Sequence, residues 1–373
     1  MESRLRKLAD TIVNYSLELK EGEKVLITYQ TLEPLPLVKY LIETIYQVGG
    51  IPYTNIMEHE IAALLLEQTS QKRIELLRSI AKFEVDNYDA FINIRYNVND
   101  YEQVRVKPSI LKMIGDNLKD ITNIRINERK WVLLDYPSKL DAYKAKMKID
   151  GFIDFALSVM TIDYKQLSVD IQPLKKLMEK TDKVRITGKG TDLTFSIKGI
   201  PVVPCVGTRN IPDGEIFTAP IKDSINGYIT FNTPSPYQGN VYTNVKLVFV
   251  NGNIVEATCN EDNDNLNKIF DTDEGARYIG EFAIGLNPII KHPMGNILYD
   301  EKIVGSIHLT PGRCYKNAFN GNDSNIHWDL VLIQRKEYGG GDIYFDNLLI
   351  RKDGIFVLDE LKHLNYEVNI NKK

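Results

Sequence analysis

Six side chains able to hold a divalent cation stand between positions 215 and 329 of this chain: Glu215, Glu281, His308, Tyr315, His327 and Asp329. A catalytic pair of cations needs about five or six hard or borderline donors, one of them a carboxylate able to bridge, with a water between the ions as nucleophile. The six residues meet that need. Imidazole mixed with carboxylate favours zinc, cobalt or manganese, whereas an all-oxygen set would point to magnesium or calcium. Such ions lower the pKa of a water from about 15.7 toward ~7, so amide hydrolysis comes within reach at neutral pH.

The local patterns that must position these groups are readable. In Asn325-Ile-His-Trp-Asp-Leu-Val331 a strand projects His327 and Asp329 onto one face and Trp328 onto the other. In Gly305-Ser-Ile-His-Leu-Thr310, Ile307 and Leu309 alternate against His308, so the imidazole faces away from the apolar side. Glu281 is a lone acid among apolar residues and glycines in Arg277-Tyr-Ile-Gly-Glu-Phe-Ala-Ile-Gly285, where burial is costly without a compensating cation. Glu215 follows the turn Pro212-Asp213-Gly214 and also reads as a solvent-facing strand residue. Tyr315 lies past Pro311-Gly312, either as a core-edge aromatic or as a phenol folded back over the same cavity.

Other chemistry is set aside on spacing. His59-Glu60 opens like a zinc-protease helix, but position 63 is Ala and the second histidine is missing. There is no nucleophile elbow, and Gly339-Gly-Gly-Asp342 reads as a turn before a strand at Ile343. Cys205, Cys259 and Cys314 are too few and too scattered for a disulfide framework or a four-cysteine zinc site.

Charge narrows the partners. With 46 Lys+Arg against 50 Asp+Glu and no basic cluster interleaved with aromatics, nucleic acid is not an expected partner. The opening Met1-Glu-Ser-Arg-Leu-Arg-Lys7 continues into an amphipathic pattern rather than a signal peptide, and no run reaches the ~18 apolar residues of a membrane helix. The expected home is the cytoplasm, with no membrane partner.

A length of 373 residues implies two domains. Residues 4–19 place apolar side chains at helical spacing. The strand-like runs 24–28, 51–56 and 89–94 alternate with helical patterns at 35–48 and 60–82. That alternation predicts an α/β N-terminal domain with a mainly parallel sheet. From residue 183 short alternating runs dominate. Asn251-Gly252 and Asp353-Gly354 mark hairpins, so an α+β C-terminal domain rich in antiparallel strands carries the metal site. The boundary is placed after a helix near 165–180, giving domains 1–180 and 181–373.

The stretches Asn210-Ile-Pro-Asp-Gly-Glu-Ile-Phe-Thr-Ala-Pro220, Gly275-Ala-Arg-Tyr-Ile-Gly-Glu-Phe-Ala-Ile-Gly-Leu-Asn-Pro288, Asp300-Glu-Lys-Ile-Val-Gly-Ser-Ile-His308 and Asn325-Ile-His-Trp-Asp329 closely resemble the aminopeptidase T and aminopeptidase S family of two-metal exopeptidases. The likeness is densest over residues 208–356. It implies that Glu215, Glu281, His308, Tyr315, His327 and Asp329 surround two divalent ions, with Glu281 as a bridging or base-like carboxylate. It also implies a homodimer whose sites open into an enclosed space and act on short peptides with a free N-terminus. The expected activity is release of N-terminal residues, with Glu281 the first choice as proton carrier, Tyr315 able to support the reacting oxygen, and Glu301 in a supporting role. A two-metal amidase and an inactive peptide-binding homologue are the alternatives.

Overall fold

The computed structural model describes residues 1–100 and 106–365. The chain divides into two units, one of residues 1–162 with 207–212, the other of residues 163–206 with 213 onward.

In the first unit the alternation of helix and strand produces a five-stranded sheet with every pairing parallel. Its order is Ile51–Ile56, Lys24–Tyr29, Ala90–Arg95, Lys130–Asp135 and Asn210–Ile211. Register aligns Leu26 with Phe91 and Phe91 with Trp131, and this face packs on Val85 and Ile121 from the helices Gln71–Asn87 and Pro108–Glu128. Val25 and Ile27 point the other way and are also fully buried, so both faces are covered, as a parallel sheet requires. The single helix expected over 60–82 is two, His59–Glu67 and Gln71–Asn87. Ser70 ends the first run by capping the second, its Oγ accepting from the Arg73 amide at 3.3 Å.

The second unit begins with another divided helix. Tyr164–Asp170 stops before Gln172–Lys180 because Pro173, which has no N–H to give, starts a new first turn. Beyond it an eight-stranded antiparallel sheet runs from Asn253–Thr258 at one edge to Ile355–Phe356 at the other. Its hairpin turns fall where expected. Asn251 and Gly252 have φ of 48° and 81°, and Asp353 and Gly354 have 49° and 77°, the paired positive values of a type I′ turn.

A second antiparallel sheet orders Leu330–Ile333, Ser306–Pro311, Ile279–Gly285, Glu215–Thr218 and Val203–Cys205. Its inner face meets the larger sheet, where Phe282 and Phe195 pack edge to face with ring centres 5.0 Å apart. The fold is therefore a parallel α/β unit followed by an α+β unit of antiparallel sheets. Among the described residues no helix is long and apolar enough to cross a membrane.

Candidate metal centre

The acids and imidazoles lie on the second antiparallel sheet, on the face turned away from the larger sheet. Paired residues of neighbouring strands share a face, and the register matches Glu281 with Thr310, Ala283 with His308, and Gly285 with Glu215. Ile307 and Leu309 turn inward and are fully buried, as their alternation with His308 predicts. A bulge at Gly280 restores the phase between Ile279 and Glu281, and it turns Glu281 onto the site face. Only glycine fits there, because a Cβ would lie 2.5 Å from the Gly312 carbonyl oxygen.

The segment expected as one strand over 325–331 is regular only from Leu330 to Ile333, with His327 bridging to Gly312 outside it. Alternation survives nonetheless. Trp328 is buried among Tyr237, Tyr242 and Phe270, with ring centres at 4.8, 5.3 and 5.9 Å. Its neighbours on either side turn to the site, with His327 Nε2 3.6 Å from Asp329 Oδ1.

The side chains form two adjoining groups whose ligand atoms lie within 4.8 Å of one another: Glu215 with Glu301 and His308, and Glu281 with His327 and Asp329. Glu281 spans them, with Oε1 3.3 Å from His308 Nε2 and Oε2 3.8 Å from His327 Nε2. His308 Nε2 is also 3.7 Å from Glu215 Oε2. His327 Nδ1 is 2.8 Å from the Arg313 carbonyl oxygen, which can only accept. Nδ1 therefore carries a proton, and Nε2 is the ring nitrogen turned to the acids and able to take a cation. Thr310 donates to Asp329 Oδ1 at 2.5 Å.

Tyr315 differs from the rest. The residue is 47 % exposed, and its ring lies 4.9 Å from His327 and 5.6 Å from Phe217. Its hydroxyl is pushed well above the ordinary phenol value by burial and by the charges of Glu281, Asp329 and Glu301. Six of the seven residues singled out in the sequence therefore sit in or between the two carboxylate and imidazole groups, Glu301 among them. Tyr315 lies at their edge.

Reasoning from sequence missed Lys302, Asp213 and Thr310. Lys302 Nζ lies 2.5 Å from Glu215 Oε1, 2.6 Å from Glu301 Oε1 and 3.8 Å from Asp213 Oδ1, with a side chain 1 % exposed. Thr310 was findable, since it stands two positions beyond His308 on the same strand face. A lysine beside two acids in Asp300-Glu-Lys302 reads as a solvated charge, and nothing local marks it as buried.

The electrostatics follow from burial. Burial works against a charge on His308, but the bond to Glu281 and the charges of Glu215 and Asp329 outweigh it and raise its pKa to about 10. Burial likewise opposes the Asp329 charge, and His327, His308 and Thr310 more than offset it, so its carboxyl titrates below the usual range. Burial lifts Glu281. The Cys205 thiol, beside Asp213 and Glu215, is pushed well above 9 by burial and by those charges, the reverse of what a nucleophilic cysteine needs.

The donor set fits divalent cations. Five carboxylates, those of Asp213, Glu215, Glu281, Glu301 and Asp329, are each no more than 12 % exposed and share one ammonium. Buried Glu215 Oε2 and Glu281 Oε2 have no hydrogen-bond partner, as does His308 Nδ1. Uncompensated carboxylates at this depth are costly, and divalent cations would offset them.

Comparison with known proteins gives the same direction. The chain is 32% identical to Aminopeptidase 2 of Geobacillus stearothermophilus over a stretch covering 39% of this chain and 37% of that one. With Aminopeptidase AmpS of Bacillus subtilis it shares 35% identity over 38% of each chain, so both matches span well under half of those relatives. Aminopeptidase T of Thermus aquaticus is 24% identical across 92% of this chain and 94% of its own length. The structure of wild-type AmpT from Thermus thermophilus superposes with a TM-score of 0.77 at 18% identity, covering 96% of this chain and all of that one, which establishes the common fold. The sequence model described as thermophilic metalloprotease (M29) matches residues 1–340, and the chain belongs to that family.

Proposed function

We propose that this chain is a metallo-aminopeptidase that releases the N-terminal residue of short peptides having a free α-amino group. The observation that carries the reading is the pair of adjoining carboxylate and imidazole groups spanned by Glu281, with orphaned buried oxygens on Glu215 and Glu281. In this reading Glu215, Glu281 and His308 hold one cation, while Glu281, His327 and Asp329 hold the other. Two divalent ions, zinc, cobalt or manganese on such donors, would polarise the peptide carbonyl and provide hydroxide at neutral pH.

The protein's own groups do the rest. Glu281 reaches both imidazoles, which supports a bridging duty and passes the role of proton carrier to Glu301. The Glu301 carboxyl is pushed well above its usual range by burial, which suits a group that must take a proton and return it to the leaving amine. In this reading the Tyr315 hydroxyl, whose ring lies 4.9 Å from that of His327, donates to the oxygen that develops charge. Phe217, Ala283 and Ala318 form a small apolar cluster against the same sheet face, a surface suited to a substrate side chain.

The same reading takes residues 181–373 as the catalytic domain, the cytoplasm as the location and a homodimer as the assembly. Three free cysteines fit a reducing compartment. The edge strand Ile51–Ile56 leaves Ile51, Tyr53 and Ile56 exposed, an apolar edge that a second copy would cover. Sedimentation at micromolar concentration should give twice the 42.6 kDa of the chain.

The activity is tested with paired dipeptides, unblocked and N-acetylated, after chelation and after return of zinc, cobalt or manganese. Hydrolysis restored by metal and confined to unblocked peptides supports the reading. Equal cleavage of the acetylated set makes the chain a general amidase, and no cleavage with any metal rejects catalysis.

A further inference from the structure

Among the described residues Lys302 is the one ammonium within the acidic centre, and its contacts are selective. It takes Oε1 of Glu215 and Oε1 of Glu301 at 2.5 and 2.6 Å, with Asp213 Oδ1 farther off at 3.8 Å. One oxygen of each glutamate is thereby committed to the ammonium. The other oxygen of Glu215, Oε2, points to His308 Nε2 at 3.7 Å and has no hydrogen-bond partner. A free carboxylate can grip a cation with both oxygens, whereas one held in this way can offer only a single oxygen.

The backbone keeps the ammonium in place. Lys302 N donates to the Tyr299 carbonyl at 3.0 Å, and its own carbonyl accepts from the Asn287 amide at 3.0 Å. Asp213, on the far side of the ammonium, is itself bound by the Gly214 amide at 3.0 Å. The stem is enclosed and the head is shared by three acids, so the lysine has nowhere else to go.

We propose that Lys302 is a positioning residue: it holds Glu215 and Glu301 by one oxygen each, so that Glu215 gives a single oxygen to a cation beside His308 and Glu301 keeps its other oxygen free for proton transfer. This inference rests on the two-cation reading given above. Two physical effects of the lysine have opposite signs, and that makes it testable. As a bare positive charge it repels a cation, and its removal alone would tighten metal binding. As an outer partner that orients a ligand, its removal weakens binding by about 10–100-fold.

The test is cobalt(II) titration of the chelated full-length protein, read by calorimetry and by the visible absorption of the metal. Wild type is expected to take up two ions. If wild type binds none, the two-cation reading fails and the role of Lys302 falls with it. With wild type binding two, K302M is expected to lose about 10–100-fold in affinity for one ion and to keep the other. Its absorption should weaken per ion as Glu215 becomes free to chelate with both oxygens. K302M that binds both ions as tightly as wild type, or more tightly, with the wild-type spectrum would overturn the proposal while leaving the metal site intact. K302R guards against a K302M that does not fold. It retains the charge and can still donate to both glutamates, but from a longer, planar fork that sets their oxygens differently, so a smaller affinity loss with a shifted spectrum is expected. A K302R protein identical to wild type in both readouts overturns the proposal by itself.

Discussion

Glu281→Gln removes one formal charge and leaves the size of the side chain unchanged, so it isolates what that charge does between the two imidazole-bearing groups. Its Oε1 and Oε2 lie 3.3 and 3.8 Å from the nearest nitrogens of His308 and His327, and a charge separation on the order of 4 Å, roughly twice a direct zinc–oxygen bond, gives a floor for what the carboxylate is worth to a cation. A unit charge pair at that distance is worth ~4 kcal/mol at the effective dielectric of a protein site. That corresponds to about a thousandfold in binding. A bridging carboxylate acts on both ions, so E281Q should weaken both, whereas E215Q and D329N should each weaken one. Competition with a chromophoric chelator, with cobalt or zinc and each variant in turn, measures the two constants separately. Glu281 is 3 % exposed and the substitution loses no volume, so circular dichroism should remain that of wild type. If E281Q lost affinity for one ion and kept the other at wild-type strength, Glu281 would be an ordinary terminal ligand and the bridging argument would fail.

Three further outcomes follow from the same geometry. T310V removes the donor to Asp329 without changing shape, and it should lower affinity for one cation by about 10–100-fold while urea denaturation shifts by no more than about 1.5–3 kcal/mol; unchanged affinity would mean Asp329 needs no second partner. W328A empties the space between Tyr237, Tyr242 and Phe270 and should cost about 3–5 kcal/mol in urea denaturation, with weaker metal binding because His327 and Asp329 lose their common anchor. Adding metal at one hundred times its dissociation constant should stabilise the chelated protein by ~2.7 kcal/mol for each site filled, read as a rise in the thermal midpoint; no rise would mean that the native fold does not favour the bound ion.

Much of the centre is legible in the sequence because it lies on strands, where a period of two decides what faces where. His308 between Ile307 and Leu309, and Trp328 between His327 and Asp329, need nothing more than that period. The strand itself was less legible, since residues 325–329 alternate like a strand yet bridge the chain only at Gly312 and His327. What remained hidden depends on tertiary context. The phase of Glu281 is set by a bulge at Gly280 that only the approach of Gly312 explains. The burial of Lys302 depends on Asp213 and Glu215, far from it in sequence, closing over the Glu301-Lys302 segment. In the first unit, parallel pairing followed from the alternation of helix and strand, while the break at Ser70 lay in a capping hydrogen bond that hydrophobic spacing does not register.

Diffraction from crystals soaked in cobalt or zinc, with data collected on both sides of the metal absorption edge, bears most directly on the central claim. The account predicts two anomalous peaks in each chain, one among Glu215, Glu281 and His308 and the other among Glu281, His327 and Asp329, with Lys302 still on Glu215 and Glu301. Peaks elsewhere on the molecule with this face bare, from protein whose peptidase activity persists, would contradict it.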